Sequence, residues 1–465
     1  MSTVPFYRSA LPAVPGWPEV DPAAFHGITG EAVRLIAPET EADAIGLQAV
    51  LLTAAGASIG SVPHALADGA PHPPRLYTVL VGSTAGGRKG TVFAQVRRVM
   101  EVADPDFMAT RVIGGFGSGE SFVDAVRDGN PNDPDDEGVS DKRLLDREGE
   151  FGRVLRIGNR DNSTLFPTLR DAWDGVRLQA RSRAHTSVAT GASIALIGDI
   201  TGDEIRVHLS SLEIGAGLGN RLNLFVVRRS KLLPEGGNLD DSAVHELGVR
   251  LRGRLERARR VGLMHRTADA RDLWAAIYAD LEERERPGLV GTLTARAPAQ
   301  LLRMSVAYAL LDGCSEIDVP HLEAAWALWS YSARSAEFIF GTALGDAIAD
   351  SLLAELKRVA PAGLDGTQQR DLFARHATGD QLDAARSLLE SLGLAETVSV
   401  KTPGRPKRVT FAIKATDATE ASYGSDQDVD ETTFRRNGDQ SPDCAPHSSR
   451  SDVRTLTALS SQVGP

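Results

Sequence analysis

The sequence predicts an α/β fold with a mostly parallel, covered sheet, followed by a helical region and a C-terminal winged helix. Three observations predict it. Apolar, β-branched runs at 76–81, 192–198 and 222–227 alternate with helical patterns. From Asp240 to Gly341 the pattern becomes helical throughout. Residues 345–413 then read helix, helix, helix and two short β runs, Glu396–Val400 and Val409–Ile413, around the basic turn Lys401–Arg408. A chain of 465 residues has room for about three domains.

Taken in order, residues 1–40 are rich in Pro and Gly and read as an arm or cap. Thr40-Glu41-Ala42-Asp43 opens an apolar helix running to about Ile59, and the four prolines within 60–74 end it. Leu76–Val81 is a buried strand that enters a turn at Gly82, and a helix follows from about Thr91 to Val102. That order makes the phosphate-binding unit of α/β nucleotide folds. Past an expected strand at Val112–Ile113 and an acidic loop, Gly129–Ser140, come a short apolar segment at Leu144-Leu145, a helix over Leu165–Trp173 and strands at Ala192–Gly198 and Leu222–Val227. Later helices cover Leu301–Leu311 and His321–Trp329, the second started by Asp318 and Pro320. The expected divisions are an arm at 1–40, a nucleotide-binding domain at 41–239, a helical domain at 240–341, a winged helix at 342–415 and a disordered, apolar-poor tail at 416–465.

Composition excludes several classes. Apolar residues at 42% and charged residues at 24% rule out wholesale disorder. Cys314 and Cys444, without CxxC or His pairing, make neither a disulfide framework nor a thiolate metal site, which fits a reducing cytoplasm. The Pro-interrupted N-terminus is no secretory signal, and Leu47–Gly60, with Gln48, Thr53 and Ser58, is too short to span a bilayer, so no membrane partner is expected. The net charge of −11 is uneven: 124–150 carries −6 and 412–465 carries −4, whereas 151–234 carries +5, a balance that an anionic polymer can use and that ordinary surface scatter also produces.

The most informative stretch is Gly82-Ser-Thr-Ala-Gly86-Gly87-Arg88-Lys89-Gly90-Thr91. A phosphate loop needs glycines so that backbone N–H groups approach phosphate oxygens, a lysine for the β/γ charge and a hydroxyl for Mg²⁺. All three are here, for ATP with Mg²⁺, but Arg88 occupies the usual lysine slot, Lys89 comes one residue later and Gly90 precedes Thr91. A Gly-rich connection that binds nothing is the bland alternative.

Hydrolysis also needs acids that position Mg²⁺ and water. Asp146, Glu148 and Glu150 follow the apolar pair Leu144-Leu145, and Glu120 follows the strand at Val112–Ile113. Asp199 ends a strong strand, where open α/β sheets hold ligands. Arg221 is the first candidate for an arginine reaching a neighbouring subunit's γ-phosphate, with Arg229 and Lys231 behind it. Arg181 and Arg183, in the segment Arg177–His185, suit a basic loop facing nucleic acid, or equally a solvated connection. Lys401, Arg405, Lys407 and Arg408 make the wing a DNA contact. Trp274, Trp326 and Trp329 read as packing, and His185 and His321 lack partners at metal spacing.

The order GSTAGGRKGT, GFGSGESFVDAVRDG, LLDREGEFGRVL, NSTLFPTLRDAWDG, ATGASIALIGDIT and GLGNRLNLFVVRRSKLLPEGG, with YALLDG and HLEAAWALWSY downstream, resembles the YfjI-like family of prophage and plasmid ATPases. That family is a domain of unknown function, similar in turn to RepA-type, RecA-like hexameric replicative helicases. The resemblance covers about residues 40–341. It implies a RecA-like core, Lys89 as the phosphate-loop lysine, Glu148 and Glu150 as the second acidic motif with Glu148 and Thr91 toward Mg²⁺, a polar sensor at the end of the Ile197 strand, and an inter-subunit arginine near Arg221. Two positions depart from the pattern: Asp199 stands where a neutral or basic sensor is usual, and Asp146-Arg147 stands where apolar strand residues are usual. An arginine there puts the burial of that strand in doubt.

The function expected is an ATP-driven motor or remodeller on DNA, helicase-like and hexameric, serving a mobile element's replication, with a primase as a further possible partner. The alternative is a DNA-binding regulator or initiator whose degraded nucleotide site serves oligomerisation. A metabolic P-loop kinase is disfavoured by the wing and by the lack of an arginine-rich acceptor lid.

Overall fold

The computed structural model describes residues 16–413, except 85, 131–132, 134, 182–185, 210–216, 284–287, 342–343, 345, 375 and 401–405. Arg183, Lys401, Arg405 and the tail expected at 416–465 therefore lie outside the described residues, as does the side chain of Arg181.

Helix α1 (Gly27–Ile36) buries one face, and α2 (Ala44–Ile59) is buried on every side. A helix apolar all round belongs inside a core. Its polar residues find partners there: Gln48 donates to Thr29 Oγ1 at 2.7 Å and to the Tyr308 hydroxyl at 3.1 Å, although its own Oε1 is left unpaired among the described residues, and Ser58 donates to Asp104 at 2.6 Å. Among the described residues, no helix is long and apolar enough to cross a membrane.

Five strands build the central sheet: β1 (Tyr77–Val81), β2 (Val112–Ile113), β3 (Arg143–Glu148), β4 (Ser193–Ile200) and β5 (Leu222–Val226). They run parallel in the order β2-β3-β4-β1-β5. Strands β1, β4 and β5 are buried at every position, as covered parallel strands must be. Helix α3 (Lys89–Ala103) follows β1, while α4 (Phe151–Gly158) and α5 (Leu165–Asp174) follow β3. Within the segment expected as a loop at 177–185, Leu178–Arg181 is instead a strand, paired antiparallel with Thr186–Ala189, while 182–185 lie outside the described residues.

The helical region holds α6 (Asp241–Ala258), α7 (Ala268–Glu283), α8 (Ala297–Leu311) and α9 (Val319–Phe340). One two-residue parallel pair interrupts the expected all-helix pattern, His265–Arg266 with Glu316–Ile317. These helices do not enclose a core of their own. A single buried cluster runs from Ala24 through the sheet to Phe340, so the expected boundaries at 40 and 239 separate no cores, and residues 24–36 are packed structure rather than a loose arm. Helix α9 lies along β5: Ser335 accepts from the Val226 N–H at 3.2 Å, and the Tyr331 hydroxyl donates to the Val226 carbonyl at 2.9 Å.

A second core joins α10 (Ala347–Val359), β6 (Leu364–Asp365), α11 (Gly366–Leu372), α12 (Gly379–Ser391), β7 (Ala395–Val400) and β8 (Lys407–Ala412). Its strands form an antiparallel sheet in the order β6-β8-β7. Two sequence-expected runs, at 396–400 and 409–413, thus become the paired strands β7 and β8, and a third short strand joins them.

Candidate nucleotide site

The loop from Gly82 to Arg88 leaves the carboxyl end of β1, the strand flanked on both sides by parallel neighbours. Close packing dictates its glycines: a Cβ on Gly82 would lie 2.6 Å from the Val227 carbonyl, and one on Gly87 3.0 Å from that of Ser83. Gly87 N–H donates to Ser83 O at 3.0 Å. Lys89 opens α3 and folds its ammonium back over the loop, donating to Gly82 O at 2.6 Å and Ser83 O at 3.3 Å. Burial lowers its pKa against the pull of Asp199 and Glu204. No side chain caps the first turn of α3, which leaves its N–H groups as donors for an anion.

Arg88 behaves differently. It sits in the left-handed region at φ 48° and turns its guanidinium to Glu41 at 2.6 Å, beside Arg229 at 3.5 Å from the same carboxylate. Glu41 also accepts from Leu233 N–H, the main reason its pKa is lowered. The two adjacent cations are thus divided: Lys89 serves the loop, and Arg88 ties it to the start of α2. Gly90 follows Lys89 in the first turn with open space around its would-be Cβ, and Thr91 is the next residue, half-buried.

Strand β3 carries the acids. Its alternation puts Asp146 and Glu148 on one face and Arg147 on the other. Glu148 is buried at the strand's carboxyl end, accepting from Gly115 N–H at 2.7 Å and from Arg153 at 3.2 Å. Asp146 is fully buried, and its pKa is pushed well up by burial first and by the neighbouring Glu148 second. Glu150 is exposed at the start of α4, and Glu120, on the short helix Gly119–Asp124, takes a hydrogen bond from Thr164 at 3.0 Å.

On the other face, the two departures from the expected pattern meet. Arg147 and Asp199 form an ion pair with each other, although they are 52 residues apart in sequence. The Arg147 guanidinium also lies 4.7 Å from the Phe93 ring of α3. Burial raises the Asp199 carboxyl against the pull of Arg147 and Lys89. Arg147 therefore does not expose the strand, contrary to the doubt its charge raised. Its stem packs on an aromatic ring and its charge is answered.

Arg221 needs correction. It precedes β5 at the amino edge of the sheet, opposite the loop, because Leu222 pairs with Tyr77 at the start of β1. Its guanidinium is 6% exposed, bonded to Asp174 at 2.6 Å and set over Trp173 at 5.3 Å. Both of these partners belong to its own chain, at the edge opposite the loop. Of the alternatives, Arg229 follows β5 near the loop, whereas Lys231 donates to Ala37 and Pro38 carbonyls. On β8, Lys407 pairs with Asp365 at 3.1 Å and Arg408 is exposed.

The sequence also missed a cluster. His26, Asp312 and His321, up to 295 positions apart, present ligand-type atoms within 4.8 Å of one another. His26 Nε2 lies 2.5 Å and His321 Nε2 lies 3.4 Å from Asp312 Oδ2. The His321 Nδ1 accepts the Asp318 N–H, which puts the proton of the neutral ring on Nε2 and directs it at Asp312. This is the hydrogen-bonding pattern of a relay; metal ligation needs that Nε2 bare.

Compared with known families and with curated proteins, the chain matches no family model and no curated protein.

Proposed function

We propose that this protein is an ATP-dependent motor or remodeller of DNA with a RecA-like core, assembling on itself and serving the replication of a mobile element. The observation that carries the reading is Lys89, whose ammonium lies over a glycine loop at the carboxyl end of an interior strand, beside a helix start without a side-chain cap, while the strand beyond β4 ends in buried Glu148. That is the charge arrangement a bound triphosphate with Mg²⁺ requires: a compact cation and free N–H groups for the phosphates, and a carboxylate one strand away toward the metal. The strand order, in which β4 separates the loop strand from the acidic strand, supports a RecA-like reading over a simple mononucleotide fold. Three helices with a β6-β8-β7 sheet and a basic turn support a winged helix as the DNA contact.

A second reading rests on Asp199. A buried carboxylate acting on Lys89 competes with phosphate for that ammonium, which favours a DNA-binding regulator whose nucleotide site is weakened. ATP turnover with and without single-stranded DNA separates the two. The motor predicts DNA-stimulated turnover that falls at least about 10²-fold in Lys89→Ala while Arg88→Ala keeps nucleotide binding. Tight duplex binding without turnover supports the regulator, and loss of binding in Arg88→Ala alone refutes the assignment of Lys89.

A further inference from the structure

The amino edge of the sheet, opposite the glycine loop, gathers more positive charge than it balances. Arg75 leads into β1, Arg221 into β5, and Arg296 and Arg303 belong to the start and body of α8. Arg75 and Arg303 are fully buried and both donate to the Trp173 carbonyl, at 2.8 and 2.9 Å, near the C-terminus of α5. The Trp173 ring carries three guanidiniums, Arg303 at 3.6 Å and Arg221 and Arg296 each at 5.3 Å. Among the described residues the carboxylate paired with this group is that of Asp174, bonded to Arg221 and 3.8 Å from Arg296. Helix-terminal carbonyls and one acid account for Arg75, Arg221 and Arg303. Arg296 keeps only the longer contact with Asp174, and the outer members Arg266 and His72 are accounted for by none of these.

Those three are half-buried. Arg266 Nε and His72 Nδ1 are buried without a hydrogen-bond partner among the described residues. Burial and the arginines Arg303, Arg75, Arg296 and Arg266 together push the His72 imidazole down to about 4, the mark of a ring set in uncompensated positive potential. Beside them stands an aromatic surface. The Arg266 guanidinium lies 4.4 Å over Trp274, whose ring is 6.2 Å from that of the exposed Tyr278.

We propose that this edge is a binding site for single-stranded nucleic acid, in which Arg266, Arg296 and His72 take backbone phosphate and Tyr278 with Trp274 offers a stacking platform for a base. Guanidiniums beside exposed aromatic rings are the combination that holds single strands without regard to sequence. A free polyphosphate has the same anionic chemistry but no use for the rings. The site stands apart from the glycine loop, so it operates whether or not the protein turns over ATP.

The test uses the full chain without nucleotide and a fluorescent oligothymidylate of about 20 nucleotides, read by anisotropy across a salt series. Arg266→Gln with Arg296→Gln is expected to weaken binding at least tenfold and to lower the slope of log affinity against log salt by up to about 1.4, two contacts on a single strand. Tyr278→Ala is expected to weaken binding about fivefold or more at an unchanged slope. Lys89→Ala is expected to bind as the parent does, which separates failure here from failure of the ATPase reading. With ¹³C-labelled histidine, the oligonucleotide is expected to raise the His72 pKa, a readout that does not depend on the variants folding. Unchanged affinity and slope in the double variant, or an unmoved His72 titration, overturns the proposal. Tripolyphosphate that raises the His72 pKa where the oligonucleotide does not overturns the nucleic-acid assignment.

Discussion

At the scale of single residues, the pair Arg147–Asp199 shows how two irregularities explain each other. Read separately, each weakens a nucleotide site; joined, they hold β3 to β4 beside the loop lysine. Removing one partner strands the other as a buried charge, so Arg147→Leu or Asp199→Asn alone is expected to cost about 3–5 kcal/mol, whereas the two together recover most of it. Urea unfolding of the four chains checks this as a double-mutant cycle; additive losses would show that the pair does not couple. Residues of this kind were half legible in sequence. Lys89 declared itself by its place after the glycines, and Arg147 and Asp199 by their oddity. Their contact did not, because it depends on strand register, which nothing local in either segment specifies. Arg221 was legible as preceding a strand of a parallel sheet, hence at its amino edge, but its bond to Asp174 depends on packing that no local pattern marks.

At the scale of elements, the start of α1, the end of α8 and the start of α9 meet at His26, Asp312 and His321. The backbone is shaped for the meeting. Gly27 has φ +56°, and a Cβ there would fall 2.0 Å from Asp312 Oδ1. The hydrogen bond to Asp312 raises His26 above its ordinary value. Burial alone raises Asp312, but the bonds from His26 and His321 outweigh it and hold it well below the usual carboxylate range. The His26 contribution is therefore complete below about pH 6.5 and fades as pH rises through its folded value, while that of Asp312 is present above about pH 4 and fades in stronger acid. His26→Ala is expected to cost about 1.5–3 kcal/mol at pH 5.5 and distinctly less at pH 9. Denaturation curves at the two pH values test the sign, and an equal loss at both would show a packing role only. If the turn between β7 and β8 is the DNA contact proposed above, neutralising Arg405, Lys407 and Arg408 together is expected to weaken duplex binding evenly across sequences and to lower its salt slope by up to about three. An unchanged slope leaves the turn as a solvated hairpin. Elements such as these were easier to read than residues, since periodicity, caps and turn chemistry are written locally. Asp43 caps α2 and Asp318 caps α9, where the sequence places those helices' starts.

At the scale of the whole molecule, the alternation of strands and helices announced a parallel sheet, but not that one core extends from Ala24 to Phe340. Long-range burial leaves no local mark, so the divisions expected at 40 and 239 follow composition rather than packing. The tail is the opposite case: removing residues 416–465 is expected to leave melting temperature and turnover unchanged, because its few apolar residues cannot offset the entropy of ordering it. A melting point several degrees lower in the truncated chain would refute that. The position of α9 along β5 has one more consequence. A parallel sheet ends in two strands whose outer backbone groups are templates for another chain. Here one of them, β2, is only two residues long, and the other is sealed where Ser335 and Tyr331 occupy the Val226 amide and carbonyl. A further strand therefore finds two residues to pair with on one side, and on the other it cannot pair at Val226 until α9 has let go.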